Sequence, residues 1–348
     1  MMNSVLSKLV INPHTWVLPT DPGTMDQRIL RRVSLSEFFG LLFSLAFIGI
    51  FTWLIHIKAG YPADFEYYLV GRSSSLFYYG YWILPFLGLL KLLPFSIAYI
   101  SWCIINLISV LFSVRVFGGK PLLVLLSYQL LSIFYYGQIS GVLAGSLALL
   151  WWGIIHRKWY IAGIGLLLAS TKYQVGGTLG LLLIWYGIEH WRDFLKIFII
   201  PVLVSGLTLL VYPGWPLEVY SRISEFPYIH LGITFWNFIG AWSLLFWLPA
   251  LILPMTKPQR FLALFSLSAF AVPYFSQIDL VTLFSFPIGL LPLFGWISGF
   301  FPIWGMTPIY FVAAVPFICY LFVVFPSAII LLKLTKASFQ RILKTTKS

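Results

Sequence analysis

The sequence predicts an all-α, polytopic integral membrane protein. Of its 348 residues, 60% are hydrophobic and only 9% are charged, which is too little charge to cover the surface of a soluble domain of this size. Apolar runs of membrane-spanning length recur from Phe38 onward. The runs are continuous rather than alternating, which argues against a β-barrel. We therefore predict one transmembrane domain over residues 36–332, built from about eleven to thirteen transmembrane helices.

The basic residues predict the orientation of this domain. The net charge of +12 does not indicate a nucleic-acid partner, because Lys and Arg occur in short clusters between apolar runs. Three arginines precede the first span and place residues 1–35 in the cytoplasm. Between Arg28 and Arg260, eleven Lys and Arg then fall on the cytoplasmic side and four on the outer side. The basic tail, residues 333–348, is also predicted to be cytoplasmic. We expect a multi-pass protein of the plasma membrane.

The first span, from Phe38 to Ile57, is followed by an acidic pair among aromatic residues, Asp64 and Glu66. They begin the first outer loop, residues 61–95. Its prolines and glycines predict juxtamembrane helices that lie on the outer face instead of crossing. Asp64 is either the chemical centre of a membrane enzyme or, with Glu66, a residue that solvates a loop.

Lys172 follows a predicted span, Tyr160–Ala169, that is too short to cross a hydrocarbon core of about 30 Å. Irregular backbone at that depth is tolerated where it lines a cavity. A lysine there needs a partner, and an anionic lipid head group such as a phosphate is the expected one. The alternative is that the side chain snorkels to the interface.

Other polar residues are predicted near the same outer face. Gln138 ends an outward helix. The second long outer loop, residues 212–234, contains Arg222, which can pair with a phosphate or with Glu218 four residues away. It also contains His230, which can relay protons or orient a phosphate, or be merely solvated. Asp279 either hydrogen-bonds a sugar or caps the next helix.

Several of these segments together resemble the glycosyltransferase-C superfamily. An Asp-Phe-x-x-Tyr-Tyr segment that begins at Asp64 follows the first helix. Gly137-Gln138, Lys172-Tyr173, and Pro273-Tyr274 with Asp279 come after it in that order. The pattern is most similar to the polyprenyl-phosphate-sugar-dependent family that includes α-1,2-mannosyltransferases of phosphatidylinositol mannoside synthesis. The chain departs from that pattern in having Ile139-Ser140 after Gly-Gln and Gln174 two residues after the lysine.

The resemblance implies a GT-C-like helical bundle that transfers a sugar, mannose by analogy, from a polyprenyl-phosphate donor to a lipid or glycan hydroxyl at the outer face. It implies that Asp64 is the catalytic base and that Lys172 meets the donor phosphate. Arg222 and His230 are the further predicted phosphate contacts. The predicted substrate contacts are Glu66, Tyr68, Gln138, Tyr173 and Asp279.

No cofactor is expected for this chemistry. A single inverting displacement of a lipid phosphate needs one base. Asp64 and Glu66 could instead hold a divalent metal, but residues two apart on a helix do not share a face, and two acids are few for a metal site. We favour a metal-independent mechanism.

Two other functions are consistent with the same features. A transporter or flippase of an anionic lipid also uses broken helices and an intramembrane lysine, although no internal repeat is evident. A scaffold subunit without catalysis is the third interpretation, and it predicts that loss of Asp64 has no effect.

Overall fold

The fold was analysed in a computed structural model, which describes residues 18–58, 62–74, 77, 79–225, 232–296 and 314–345. These residues form helices and turns and no β-strand, with one isolated bridge between Gly232 and Ser276. The predicted all-α class is therefore confirmed. His230 lies outside the described residues, as do parts of the N-terminal segment, of the loop 212–234 and of the tail.

Four described helices are long and apolar enough to cross a membrane: α2 (Leu35–His56), α5 (Phe95–Phe117), α11 (Trp191–Val211) and the first part of α17 (Ala314–Thr345). A fifth span results if α7 (Tyr128–Tyr136) and α8 (Ser140–Ile155), which meet at 117°, are taken as one broken span. These helices fit the predicted polytopic membrane protein.

Among the described residues, single helices of spanning length are fewer than the eleven to thirteen predicted transmembrane helices, because several apolar runs break into short helices. The apolar run Leu122–Tyr136 divides into α6 (Pro121–Leu125) and α7, since the Ser127 hydroxyl accepts from the N–H of Leu130 and caps a new helix that begins at Tyr128. The apolar run 235–253 divides into α13 (Trp236–Ile239), a 3₁₀ turn and α14 (Trp247–Ile252). Continuous hydropathy does not reveal such breaks.

The remaining helices are short or amphipathic, and none has the length and hydropathy of a full span. Residues 61–95, predicted to be the first outer loop, contain α3 (Ala63–Val70) and α4 (Leu84–Lys91), each of eight residues and too short to cross a bilayer. The others are α1 (Pro22–Leu30), α9 (Trp159–Ala169), α10 (Thr178–Gly187), α12 (Trp215–Glu225), α15 (Lys257–Phe270) and α16 (Val281–Phe284).

Helices α9 and α10 form a tight hairpin with Lys172 at its tip. The connection is a 3₁₀ turn, Ser170–Lys172, and a π turn, Tyr173–Gly177. A Cβ atom on Gly176 would lie 2.0 Å from the carbonyl oxygen of Ala169, so only glycine permits this close approach. The short predicted span before Lys172 is thus one arm of this hairpin.

Helix α8 forms the centre of the bundle, and most of its residues are buried. Its sixteen residues rise about 24 Å, which separates two polar ends. At its C-terminal end, α1 docks through Asp26, whose carboxylate accepts hydrogen bonds from the indole of Trp152 and contacts Nε2 of His156 at 3.1 Å. At its N-terminal end lie Gln138 and Ser140.

Candidate active site

The turn between α7 and α8 organises the polar end of the bundle. Gly137 adopts a left-handed conformation with φ of 69°, and a Cβ atom there would lie 2.4 Å from Cβ of Phe65. The indole of Trp102 donates to the Gly137 carbonyl at 2.8 Å. The hydroxyl of Tyr99 donates to the carbonyl of Phe134. A glycine and two aromatic donors therefore fix this turn against α3 and α5.

Asp64 stands in the first turn of α3, and Gln138 binds it directly. The side-chain nitrogen of Gln138 donates to Oδ2 of Asp64 at 2.5 Å. The hydroxyl of Tyr68 lies 3.3 Å from Oε1 of Gln138 and 3.1 Å from the hydroxyl of Tyr79. The buried ring of Phe65 packs among Tyr99 and Trp102 and anchors the helix. The structure thus brings together three of the predicted site residues, Asp64, Tyr68 and Gln138.

The surroundings of Asp64 change its acidity. Burial raises the pKa of the Asp64 carboxyl above its ordinary value, and the hydrogen bond from Gln138 and the positive charge of Lys172 oppose that rise. A carboxylate with a raised pKa is a stronger base than an exposed one. The positive charge of Lys172 therefore acts on Asp64, although the two side chains belong to different helical segments.

Lys172 is buried, and its partner is a protein carboxylate. Its ammonium donates to both oxygens of Asp279, each at 2.7 Å. The two side chains are 4% and 0% exposed. The alternative that Lys172 snorkels to the interface is therefore wrong, and the expected phosphate is not needed to explain its burial. Two of its three N–H groups are used by Asp279, which leaves one for another acceptor.

Asp279 has a structural position. Its Oδ1 also accepts from the hydroxyl of Ser140 at 2.6 Å. Its Oδ2 accepts from the backbone N–H of Ser276 in a reciprocal capping box. With the lysine, these bonds occupy about four acceptor positions, the capacity of a carboxylate. Asp279 thus supports the next helix from the N3 position of a capping box whose N-cap is Ser276, and its contact with a sugar stays a prediction.

One turn therefore carries both halves of the site. Gln138 binds Asp64, and two residues later Ser140 binds the Lys172–Asp279 pair. Ser140 was not among the residues predicted for the site. A hydroxyl residue two positions after Gln138, at the start of an apolar helix, was the available signal.

A second missed element is the aromatic strip formed by Phe77 and residues 79–82. The N–H of Gly80 donates to the carbonyl of Thr171 at 3.1 Å. The indole of Trp82 donates to the Thr171 hydroxyl at 3.0 Å. The strip therefore holds the residue just before Lys172. Aromatic residues are so frequent in this sequence that Trp82 could not be distinguished from a packing residue.

Arg222 lies on the other side of the same strip. It donates to the carbonyl of Phe77 at 2.8 Å and to that of Arg72 at 2.9 Å, and it pairs with Glu218 at 2.5 Å. Arg222 therefore pairs with Glu218 four residues away, which was one of the two partners predicted from the sequence. Arg72 contacts the same Glu218 carboxylate at 3.4 Å, so two guanidinium groups share one acid.

Among the described residues, four of the buried side-chain oxygens without a hydrogen-bond partner are close in sequence to these site residues. They belong to the predicted contacts Glu66 and Tyr173 and to Gln174 and Gln277, which were not predicted. Gln174 follows Lys172 by two residues, and Gln277 precedes Asp279 by two. A buried acceptor without a donor is costly, so such groups are a mark of a site that receives a ligand.

Within the described part of the chain, no group of three or more His, Cys, Asp or Glu residues is placed to hold a metal ion. Asp64 has an amide as its neighbour, and Asp279 a lysine and a serine. The absence of a cofactor stays a prediction.

Residues 77–228 match the family model for glycosyltransferase family 87. The match covers less than half of the chain, and it includes Gln138, Ser140, Lys172 and Arg222 but neither Asp64 nor Asp279. No curated protein and no solved structure matches the chain. This match does not show a specific relationship to the α-1,2-mannosyltransferases of phosphatidylinositol mannoside synthesis. It supports a GT-C-type glycosyltransferase, and the apolar helices place that activity in a membrane.

Proposed function

We propose that the chain transfers a sugar from a polyprenyl-phosphate donor to a lipid or glycan hydroxyl at the outer face of the plasma membrane, with Asp64 as general base. The observation that carries this proposal is the turn that joins Asp64 to Lys172. Gln138 binds the first and Ser140 binds the partner of the second. Mannose is the proposed sugar because of the family resemblance.

In the proposed reaction the acceptor oxygen attacks the anomeric carbon as Asp64 removes its proton. The bond between that carbon and the phosphate oxygen breaks, and the electron pair leaves with the lipid phosphate. The hydrogen bond from Gln138 holds one carboxylate oxygen and leaves the other for the acceptor hydroxyl. One inverting displacement results, and it needs neither a second carboxylate nor a metal.

Lys172 is proposed to meet the leaving phosphate through its third N–H group. Because Asp279 already balances its charge, the lysine contributes a directed hydrogen bond more than net charge. Net positive charge is available from Arg72 and Arg222, which share a single carboxylate. Arg222 remains a proposed phosphate contact on that ground, and His230 remains one on the sequence pattern alone.

The unpartnered oxygens favour a ligand rich in hydroxyl groups. Glu66, Gln174 and Gln277 present acceptors, and a phosphate ester has no protons to give them. A sugar supplies several donors. We therefore assign these three side chains to the sugar or to a glycan acceptor.

The test is to reconstitute the full chain in liposomes with a panel of polyprenyl-phosphate sugars and an extracted glycolipid acceptor pool, and to detect products by mass spectrometry. A product from one sugar that disappears in Asp64→Asn supports the proposal. Asp193→Asn, which changes a half-buried carboxylate paired with Lys196, is the matched control. Movement of the lipid across the bilayer without a covalent product would instead identify a flippase.

A further inference from the structure

A cavity lies at the opposite end of α8 from Ser140, and the proposed transfer reaction does not use it. Its volume is about 440 Å³. Trp151 and Tyr186 form its buried wall, and Arg157, Lys257 and Glu189 stand among its lining residues. The ends of α8 and α10 meet the starts of α9, α11 and α15 here.

The charges of this cavity leave two cations without an acidic partner. Within the described residues, neither Arg157 nor Lys257 has a carboxylate within 4.0 Å. The ammonium of Lys257 lies 5.1 Å from the ring centre of Tyr186. Asp193, which also lines the cavity, is paired with Lys196 at 2.9 Å. Glu189 alone opposes the two cations, so the cavity favours an anion.

Arg157 occupies a strained backbone position beside this cavity. Its φ of 56° lies in the left-handed region, which costs free energy for any residue with a side chain. The turn from α8 to α9 would accept glycine without that cost. An arginine at a strained position beside a cavity is an indication that its side chain has a role there.

An apolar groove adjoins the cavity. It has a volume of about 340 Å³ and includes Leu181, Trp185 and Phe194. It shares Ile188, Glu189 and His190 with the polar cavity. Leu181 is 51% exposed, and most of the neighbouring span α11 is not covered by the rest of the chain, so the groove faces the hydrocarbon. A cationic cavity that continues into an apolar groove fits one amphiphile.

We propose that this is a binding site for an anionic phospholipid. Arg157 and Lys257 bind the phosphodiester, and an acyl chain lies in the groove beside Trp185 and Phe194. Basic pockets between membrane helices bind anionic head groups in this way. A soluble phosphate compound would occupy the cavity and leave the groove empty, so we assign the site to a lipid.

The test is a titration of the detergent-purified full chain by native mass spectrometry. The probes are phosphatidylglycerol, phosphatidylcholine with the same acyl chains, and glycerol 3-phosphate. We expect tighter binding of phosphatidylglycerol, and a loss of about tenfold or more of that preference in Arg157→Gln/Lys257→Gln. Lys91→Gln/Lys120→Gln removes two exposed cations elsewhere and should change nothing.

Arg157→Gly keeps the proposal testable if the double variant fails to fold. Glycine relieves the strain at φ of 56°, so this variant should fold at least as well and still lose part of the preference. Equal binding of both phospholipids, or unchanged phosphatidylglycerol binding in these variants, would overturn the proposal. So would binding of glycerol 3-phosphate as tight as that of the lipid. None of these readouts depends on sugar transfer.

Discussion

The side-chain nitrogen of Gln138 lies 2.5 Å from Oδ2 of Asp64, although the two residues are 74 positions apart in the chain. This contact joins helix α3 to the break between two buried helices. It orients the carboxylate and favours its ionised form. The behaviour of the proposed base therefore depends on both residues, and each can be tested separately.

Replacing Asp64 with Asn should abolish transfer and leave folding intact. Asparagine has the same shape and can still accept from Gln138, but it cannot take a proton. We expect kcat to fall by about 10²–10⁴. The measurement is product formation beside a thermal unfolding curve. Transfer at the wild-type rate would refute the assignment of the base.

The pH dependence of transfer should report the pKa of Asp64. The base acts only when deprotonated, and burial raises its pKa, so activity should fall with decreasing pH at a pH above the ordinary range of an aspartate. In Gln138→Leu a hydrogen bond to the ionised form is lost, which raises the pKa further. The acid limb of kcat/KM should then move to higher pH. A limb that does not move in this variant would mean that another group titrates.

Variants of the Lys172–Asp279 pair should distinguish a structural role of Lys172 from a role in use of the donor. Lys172→Ala leaves a buried carboxylate without its cation, which costs about 3–5 kcal/mol of stability and should weaken use of the lipid donor. Lys172→Met/Asp279→Asn removes both charges. We expect it to recover most of the lost stability, measured by thermal unfolding, but not the KM for the donor.

Wild-type donor kinetics in the double variant would show that the lysine serves the fold alone. Lys196→Met, at an exposed pair far from the site, is the control for removal of a lysine from an ion pair.

Whether the sequence could predict a residue of this site depends on whether the signal for that residue lies in its own neighbourhood along the chain. Asp64 and Lys172 could be found because a charge next to an apolar run is conspicuous along the chain. The partner of Lys172 could not, because Asp279 is 107 positions away and its acceptor positions are filled only by the folded arrangement. Ser140 and Thr171 are ordinary residues whose role depends on the turns that carry them.

The same distinction applies to the fold. Hydropathy predicted the all-α membrane class and the long spans such as α2 and α5. It did not locate the breaks within apolar runs, because caps such as Ser127 and the hairpin at Lys172 divide these runs without changing their composition. Packing determines these breaks, and a single sequence does not display them.

Gly137 should be the most sensitive position of the turn that joins the two halves of the site. In Gly137→Ala the added Cβ meets Phe65 and the residue must keep φ of 69°, so we expect a loss of about 1–3 kcal/mol of stability and a lower kcat. Gly88→Ala is the matched control, since a Cβ on Gly88 meets nothing within 4 Å and alanine favours the α4 helix. Thermal unfolding and transfer assays should both distinguish the two alanines. If Gly137→Ala retained full activity, the turn would not set the position of Gln138 against Asp64.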